Sequence, residues 1–373
     1  MKKVLVTGSA GFIGLNLVSA LSRNSDLIVF QYDLSNPKEE LYNALNEIDL
    51  IFHLAGVNRP QHETEFATGN VDLTQMICEF VQKIGRSPKI VLSSSTQADL
   101  DNPYGASKKA AEEVLKRYHD TTGADVAVYR LPGVFGKWSR PNYNTVIATF
   151  CNNIARDLPI QISDETNELH LVYIDDVVRD FQSELILEQT QNSFRFAEMK
   201  PVYSITLGKL DETIRSFRES RDTLMLPEMS DRFTACLYAT YLSFLPKDGF
   251  SYQLPINEDD RGALAEFIKS PGMGQIFVSR TKPGITRGNH YHHTKVEKFL
   301  VLEGEGIIRF RKINSDEILN YPVNGREFKV VDIPPGFTHS IENVGVTEMI
   351  VLFWAGEIYD QSKPDTEFLS VLK

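Results

Sequence analysis

The stretch KVLVTGSAGFIGLNLVSAL, Lys3 to Leu21, decides the first half of the fold. Val4-Leu5-Val6 reads as a short strand and the residues from Gly11 onward as a helix. Between them Gly8, Gly11 and Gly14 stand in a GxxGxxG spacing. A turn of residues without Cβ lets the backbone approach a pyrophosphate, which then rests on the unpaired N–H groups of the helix N-terminus. Outward from this stretch the same alternation continues. LIVFQYD, DLIFHLAG, KIVLSSS and VAVYRLPGVFG read as strands; KEELYNALNEI, DLTQMICEFVQKIG and YGASKKAAEEVLKRYHDTTG read as helices. Strands separated by helices imply crossover connections, hence α/β architecture with a doubly wound parallel sheet covered on both faces.

After about residue 245 the texture changes. LPKDGFSYQLPINEDDRG is rich in Pro, Gly and charge, and the remainder is short strands punctuated by Gly, Pro and Asn. Residues 250–373 are therefore expected to form an all-β barrel or sandwich, and residues 1–245 the α/β domain. A length of 373 residues suits two domains. A net charge of -11 with no basic stripe argues against a nucleic-acid partner. The apolar run after Lys3 is too short for a signal peptide, and no segment has the apolar length of a membrane helix. Cys78, Cys151 and Cys236 stand far apart, so neither a disulfide framework nor a cysteine zinc site is indicated. A cytoplasmic protein is expected.

YGASK places Tyr104 and Lys108 at i and i+4 on one helical face, just downstream of Ser93-Ser94-Ser95 at a strand end. A lysine ammonium one turn from a phenol stabilises phenolate, so Tyr104 is expected to exchange a proton near neutral pH, with a serine hydroxyl holding a substrate carbonyl. Together with TGSAGFIG, HLAG, GNVDLTQ, RLPGVFG and LVYIDDVV, these residues resemble the extended short-chain dehydrogenase/reductase family over about residues 1–245. The resemblance implies a Rossmann-type sheet with Gly8, Gly11, Phe12, Ile13 and Gly14 at the pyrophosphate. It puts Asp33 and Leu34 beside the adenine and Leu54, Ala55 and Gly56 along the dinucleotide. Ser95, Tyr104 and Lys108 would be the catalytic trio, with Tyr104 and Lys108 also touching the cofactor and Ser94 second for the serine role. Two departures stand out: Ser95 and Tyr104 are closer than in many members, and DLSNPKEEL carries no clear signature for the adenosine ribose. NADPH as the cofactor is therefore implied by resemblance alone. Arg59, Arg130, Lys137 and Arg140 are cations that could meet a diphosphate, each equally readable as a surface charge.

In GITRGNHYHHTKVEKFLVLEG, Gly284 to Gly304, the spacing is Gly284-x5-His290-x-His292-x4-Glu297-x6-Gly304, followed later by Pro334-x-Gly336-x2-His339-x3-Asn343. His290 and His292 share one face of a strand, Glu297 opens the next strand after a turn, and His339 follows a Pro-Gly turn, so the four can converge inside a small barrel. His293, at the opposite parity, reads as an ordinary turn histidine. Three imidazoles and a carboxylate suit a divalent Zn, Fe, Ni or Mn, zinc first among them, and leave room for water or a substrate oxygen. This pattern resembles both motifs of the cupins over about residues 250–373, with one departure: the glycine expected ahead of Pro334 is Phe328.

The fusion of the two, with the phrases HLAGVNRP, GVFGKWSRPNYN and GNHYHHTKVEKF, resembles the bifunctional capsular polysaccharide enzymes of UDP-N-acetyl-L-fucosamine synthesis along the whole chain. It implies C3 epimerisation of a UDP-2-acetamido-2,6-dideoxy-hexos-4-ulose in the cupin, NADPH-dependent C4 reduction to a UDP-6-deoxy-L-talosamine derivative, and a homodimer. The C–H bond next to a ketone is the acidic one of a sugar, and a metal can stabilise the enolate. Tyr291, His292, His293, Lys295 and Lys298 are candidates for the acid and base. The alternative keeps the reductase and makes the cupin a non-catalytic sugar-sensing or dimerisation module.

Overall fold

The computed structural model describes residues 1–60, 62, 64–143, 145–186 and 193–372; Asn144 of the phrase GVFGKWSRPNYN and the terminal Lys373 lie outside the described residues. The chain divides into two compact units, Met1–Arg215 with Arg232–Pro246, and Ser216–Asp231 with Lys247–Lys373.

In the first unit, strands β1 (Lys2–Thr7), β2 (Leu27–Tyr32), β3 (Leu50–His53), β4 (Lys89–Ser95) and β5 (Val126–Leu131) lie in the order β2-β1-β3-β4-β5, with Phe194–Ala197 added beyond β5. All pair in parallel. Consecutive strand residues point to opposite faces, and both faces are covered. Leu5, Ile51 and Leu92 enter one apolar cluster, while Val4, Val6, Phe52 and Val91 enter the other. The order reverses between β1 and β3, so the β1 and β3 loops open side by side at the carboxyl ends of the strands, where ligands bind in such sheets.

The run VAVYRLPGVFG, which reads as one strand, is two. Pro132 has no N–H for a ladder bond, and beyond it Gly133–Phe135 leaves the main sheet to pair with Glu168–Tyr173 in a separate three-stranded sheet. The helix carrying YGASK runs from Pro103 to Thr122 because its ends are well marked. Asn102 Oδ1 accepts from Gly105 N at 2.8 Å, Pro103 occupies the first turn, and Gly123 ends the helix at φ 69°.

In the second unit the strands pair antiparallel in two sheets. One sheet contains Gly274–Thr281, Met349–Ala355, Glu297–Glu303 and Val330–Ile333; the other contains Ile318–Asn324, Glu305–Lys312, Phe337–Asn343, Thr286–Tyr291 and Glu367–Phe368. Phe299, Val301, Ile308, Phe310, Ile341 and Val351 fill the space between them. Residues 216–231 belong to this unit: Leu226 N donates to Lys269 O and Lys269 N to Leu224 O, both at 2.8 Å. Gly284, Gly304 and Gly336 turn the chain at φ 75°, 86° and 77°. Phe328 sits at φ 47°, so the turn for which a glycine is expected keeps its left-handed backbone although the residue there has a side chain. Among the described residues no helix is long and apolar enough to cross a membrane.

Candidate active site and metal centre

The glycine-rich turn divides its labour. A Cβ on Gly8 would meet Ala55 N at 2.6 Å and one on Gly14 would meet Gly8 O at 2.1 Å, so the first and last glycines are required by packing within the protein. Gly11 has only Gly8 O nearby, at 3.2 Å, and is left open to a ligand. No side chain caps the helix Phe12–Leu21 among the described residues, so the N–H groups of Phe12, Ile13 and Gly14 have no side-chain acceptor. A dinucleotide fits this cradle. Leu54, Ala55 and Gly56 follow β3 directly against Gly8, and Leu34 stands almost wholly exposed at the end of β2. Asp33 is partly engaged by the protein: its carboxylate accepts from Ala10 N at 2.8 Å and Leu34 N at 2.7 Å.

Ser95, Tyr104 and Lys108 come together at the end of β4. The Tyr104 phenol stands beside Ser95, whose influence is to lower its pKa. Ser94, on the opposite face, donates to Glu112, which leaves Ser95 as the hydroxyl beside the phenol. The short connection between Ser95 and Tyr104 winds into a 3-10 turn, Thr96–Asp99. The Gln97 carbonyl of this turn presses so closely on the helix that a Cβ at Gly105 would meet it at 2.1 Å. Lys108 is buried; its Nζ donates to Ser93 O at 3.1 Å and lies 5.9 Å from the centre of the Tyr104 ring. Phe66 covers the phenol from the other side, ring centres 5.8 Å apart.

The electrostatics differ from the sequence expectation. Burial raises the Tyr104 phenol above its ordinary value, against an opposing influence of Ser95, so it is protonated at neutral pH. Burial draws Lys108 down to about 8, with Glu112 acting the other way. The site thus stores a proton on the phenol beside an ammonium close to its titration point.

Two supports, Asn70 and His53, have no role in the sequence reading. Asn70, in a π-helical stretch, accepts from Val57 N at 2.8 Å and donates to Val57 O at 3.0 Å and Ser107 Oγ at 2.9 Å, tying the loop after β3 to the helix Pro103–Thr122. A Cβ on Gly56 would meet Asn70 Oδ1 at 2.7 Å and Lys108 Nζ at 3.1 Å, which is why that position has none. His53 bridges Thr7 Oγ1 at 2.7 Å and Thr74 Oγ1 at 2.8 Å; burial, then Lys108, pushes its imidazole down to about 3, so it is a neutral strut. The cations weighed for a diphosphate are in part engaged elsewhere: Arg130 binds Glu112 and Asp99, and Lys137 binds Asp175.

In the second unit His290, His292, Glu297 and His339 converge, one ligand atom from each lying within 4.8 Å of the others. His292 Nε2 is 3.3 Å and His339 Nε2 3.5 Å from Glu297 Oε2, and the rings of His290 and His339 are 4.5 Å apart. A bulge assists: Asn289 at φ 60° is the extra residue between the pairs Gly288–Ser340 and His290–His339, and it turns the His290 ring onto His339. Among the described residues, His292 Nε2 and both ring nitrogens of His339 are buried without a hydrogen-bond partner. Unpaired buried nitrogen lone pairs around a carboxylate are costly unless they serve as ligands, so a divalent cation fits the donor set. Burial alone would raise Glu297, but the His292 and His339 imidazoles hold its carboxyl well below the usual range. Burial, then His339 and His292, lowers His290 to about 4. Both leave the groups in their ligating forms.

Of the five acid–base candidates, His292 is inside the cluster, and Lys295 points toward it, its Nζ 3.7 Å from Glu297 Oε1. Lys298 turns outward onto Asp332, and Tyr291 packs against the exposed His293.

Residues 4–189 match the NAD dependent epimerase/dehydratase family and residues 257–367 the polysaccharide biosynthesis C-terminal domain. The UDP-2-acetamido-2,6-beta-L-arabino-hexul-4-ose reductase of Pseudomonas aeruginosa is 44% identical over 369 residues, covering 99% of each chain. The crystal structure of the capsular polysaccharide assembling protein CapF from Staphylococcus aureus superposes with a TM-score of 0.91 at 46% identity, covering 99% of this chain and 100% of that one. The UDP-glucuronic acid 4-epimerase of Bacillus cereus, at 20% identity and a TM-score of 0.53 over 58% of this chain and 83% of its own, shares the fold.

Proposed function

This chain belongs to the same family as the Pseudomonas aeruginosa reductase, and on that premise we propose that it epimerises C3 of a UDP-2-acetamido-2,6-dideoxy-hexos-4-ulose and reduces C4 of the product. The product is a UDP-6-deoxy-L-talosamine-type precursor of UDP-N-acetyl-L-fucosamine for capsular polysaccharide. The observation that carries the reduction is the meeting of Ser95, Tyr104 and buried Lys108 at the end of β4, with Lys108 Nζ 5.9 Å from the centre of the Tyr104 ring.

Reduction of a ketone adds hydride to carbon and a proton to oxygen. A reduced nicotinamide, taken here as NADPH, supplies the hydride when bound in the glycine cradle. Ser95 Oγ orients the C4 carbonyl, and Tyr104 gives its phenolic proton to the C4 oxygen as the hydride arrives. A phenol kept protonated by burial suits that direction. Lys108 stabilises the phenolate as it forms, and a proton from solvent reloads Tyr104.

Before reduction the ketone makes the C3–H acidic, and afterwards it does not, which orders the two steps. A divalent cation held by His290, His292, Glu297 and His339, here taken as zinc, would supply positive charge to a ketone oxygen. Lys295 Nζ is the group proposed to move the C3 proton, because it faces the cluster. The homodimer implied by the resemblance is part of the proposal, and light scattering of the purified protein tests it.

The test supplies a UDP-4-keto-6-deoxy-N-acetylhexosamine in deuterated water without NADPH. Deuterium is expected at C3, surviving Tyr104→Phe and disappearing in His339→Ala. No exchange in the unaltered protein sinks the epimerase reading and leaves the second unit as a sensing or dimerisation module.

A further inference from the structure

We infer that Asp365, in the C-terminal segment, is a positioning residue that latches the ligand-bearing loop His292–Val296 and sets the tautomer of His292; this rests on the metal-centre reading above. The loop between His292 and Glu297 has to deliver two ligands from its two ends, yet it has little packing of its own: His293, Thr294 and Val296 are exposed. Its order comes from a residue about seventy positions away. One carboxylate oxygen of Asp365 accepts from His293 N at 2.8 Å. The other accepts from Thr294 N and Lys295 N, both at 2.8 Å, and from Thr294 Oγ1 at 2.9 Å. Three successive N–H groups converging on one carboxylate form an anion-holding nest, and the loop that makes it has one backbone shape.

The same residue acts on His292 through its main chain. The Asp365 carbonyl oxygen bonds His292 Nδ1. A carbonyl can only accept, so Nδ1 carries the proton and Nε2, facing Glu297, carries the lone pair. The neighbouring Thr366 hydroxyl accepts from Lys295 Nζ at 3.3 Å, which holds that side chain toward Glu297. The segment is fastened independently: Glu367–Phe368 pairs with Tyr291 and His290, Leu369 N donates to Asn289 O at 2.9 Å, and Arg311 Nε donates to Val371 O at 3.0 Å. The C-terminal residues therefore complete the first ligand strand and hold its exit loop at once.

The experiment uses the full chain stripped of metal by a chelator. Cobalt(II) is titrated in and followed by its visible absorption, and zinc affinity is measured by competition with a chromophoric chelator. The unaltered protein is expected to bind one ion per chain. Asp365→Ala keeps the carbonyl on His292 Nδ1 but removes the four bonds to the carboxylate, and should bind about 10- to 100-fold more weakly, the usual effect of losing an outer-shell partner, with a changed cobalt spectrum because the loop that carries His292 is no longer fixed. Thr294→Val, which removes one of the four bonds, should weaken binding by a smaller factor and leave the spectrum alone. Asp365→Ala binding with unaltered affinity and spectrum overturns the latch while leaving the metal centre standing. No cobalt binding by the unaltered protein overturns the metal reading and the latch with it. If Asp365→Ala loses the native fluorescence of Trp354, Thr294→Val decides, and full affinity there refutes the latch.

Discussion

Replacing Lys108 by methionine should abolish reduction and yet make the first unit more stable near neutral pH. Lys108 is buried, and burial lowers its pKa from 10.5 to about 8. In the unfolded chain the ammonium is hydrated and keeps its ordinary value. Below about pH 8 both states carry the proton, and the fold bears the cost of a buried charge. Between about pH 8 and pH 10.5 the folded lysine is neutral while the unfolded one is still charged. The unfolded state then binds more protons, and stability rises with pH. The difference of the two values corresponds to roughly 3 kcal/mol. Lys108→Met removes that charge and with it the hydrogen bond to Ser93 O, so its advantage near pH 7 is expected to be about 1 to 2 kcal/mol. The cleaner quantity is the change in the stability difference between the two proteins, which should move by about 2 to 3 kcal/mol in favour of the unaltered protein from pH 7 to pH 10, cancelling or reversing the advantage of the variant. The chain has two tryptophans, Trp138 in the first unit and Trp354 in the second, so urea unfolding in a Trp354→Phe background reports the first unit alone. A gap that stays constant across that range would show that Lys108 carries no depressed pKa, and the account of the proton site would fall with it.

Tyr104→Phe should lower NADPH oxidation with the 4-keto sugar by about 100-fold or more at unchanged melting temperature, and full retained rate removes Tyr104 from its role. Arg130→Met strips buried Glu112 of its bidentate partner and should cost about 3 to 5 kcal/mol, part of it recovered in the double variant with Glu112→Gln; urea unfolding of the first unit measures both. Gly105→Ala drives a methyl against the Gln97 carbonyl and should cost about 1 to 3 kcal/mol in the same assay, accompanied by weaker reductase activity because the Ser95 turn moves. Phe328→Gly relieves a left-handed backbone at an exposed position and should raise the melting temperature of the second unit, equivalent to up to about 1 kcal/mol after the unfolded-chain entropy of glycine is counted.

What was legible in the sequence is what local chemistry encodes. Gly8, Gly11 and Gly14 lie within one turn, Tyr104 and Lys108 within one helical turn, and His290, His292 and Glu297 on one short loop and the strand ends it joins. Their spacing is therefore their geometry, and alternation of apolar runs with amphipathic ones is enough to specify a parallel sheet. The break at Pro132 was visible as a residue, but that the chain changes sheets there depends on which strand offers pairing beyond it. Tyr104 shows the limit most clearly: the spacing to Lys108 predicts a lowered phenol, whereas the burial given by β4, Phe66 and the Gln97 turn raises it. Desolvation depends on everything packed around a group, and no short pattern contains it. The choice of Ser95 over Ser94 depended on Glu112 arriving from another element, and the inward turn of Lys295 depended on Thr366. Asp365 reaches its loop across seventy residues of chain, and nothing near it in sequence marks it. The sequence by itself determined the fold class and the residue types at both sites, because these follow from period and spacing. The tertiary structure decided which hydroxyl, which nitrogen and which protonation state each site presents, because those are set by burial and by partners that only folding brings within hydrogen-bonding distance.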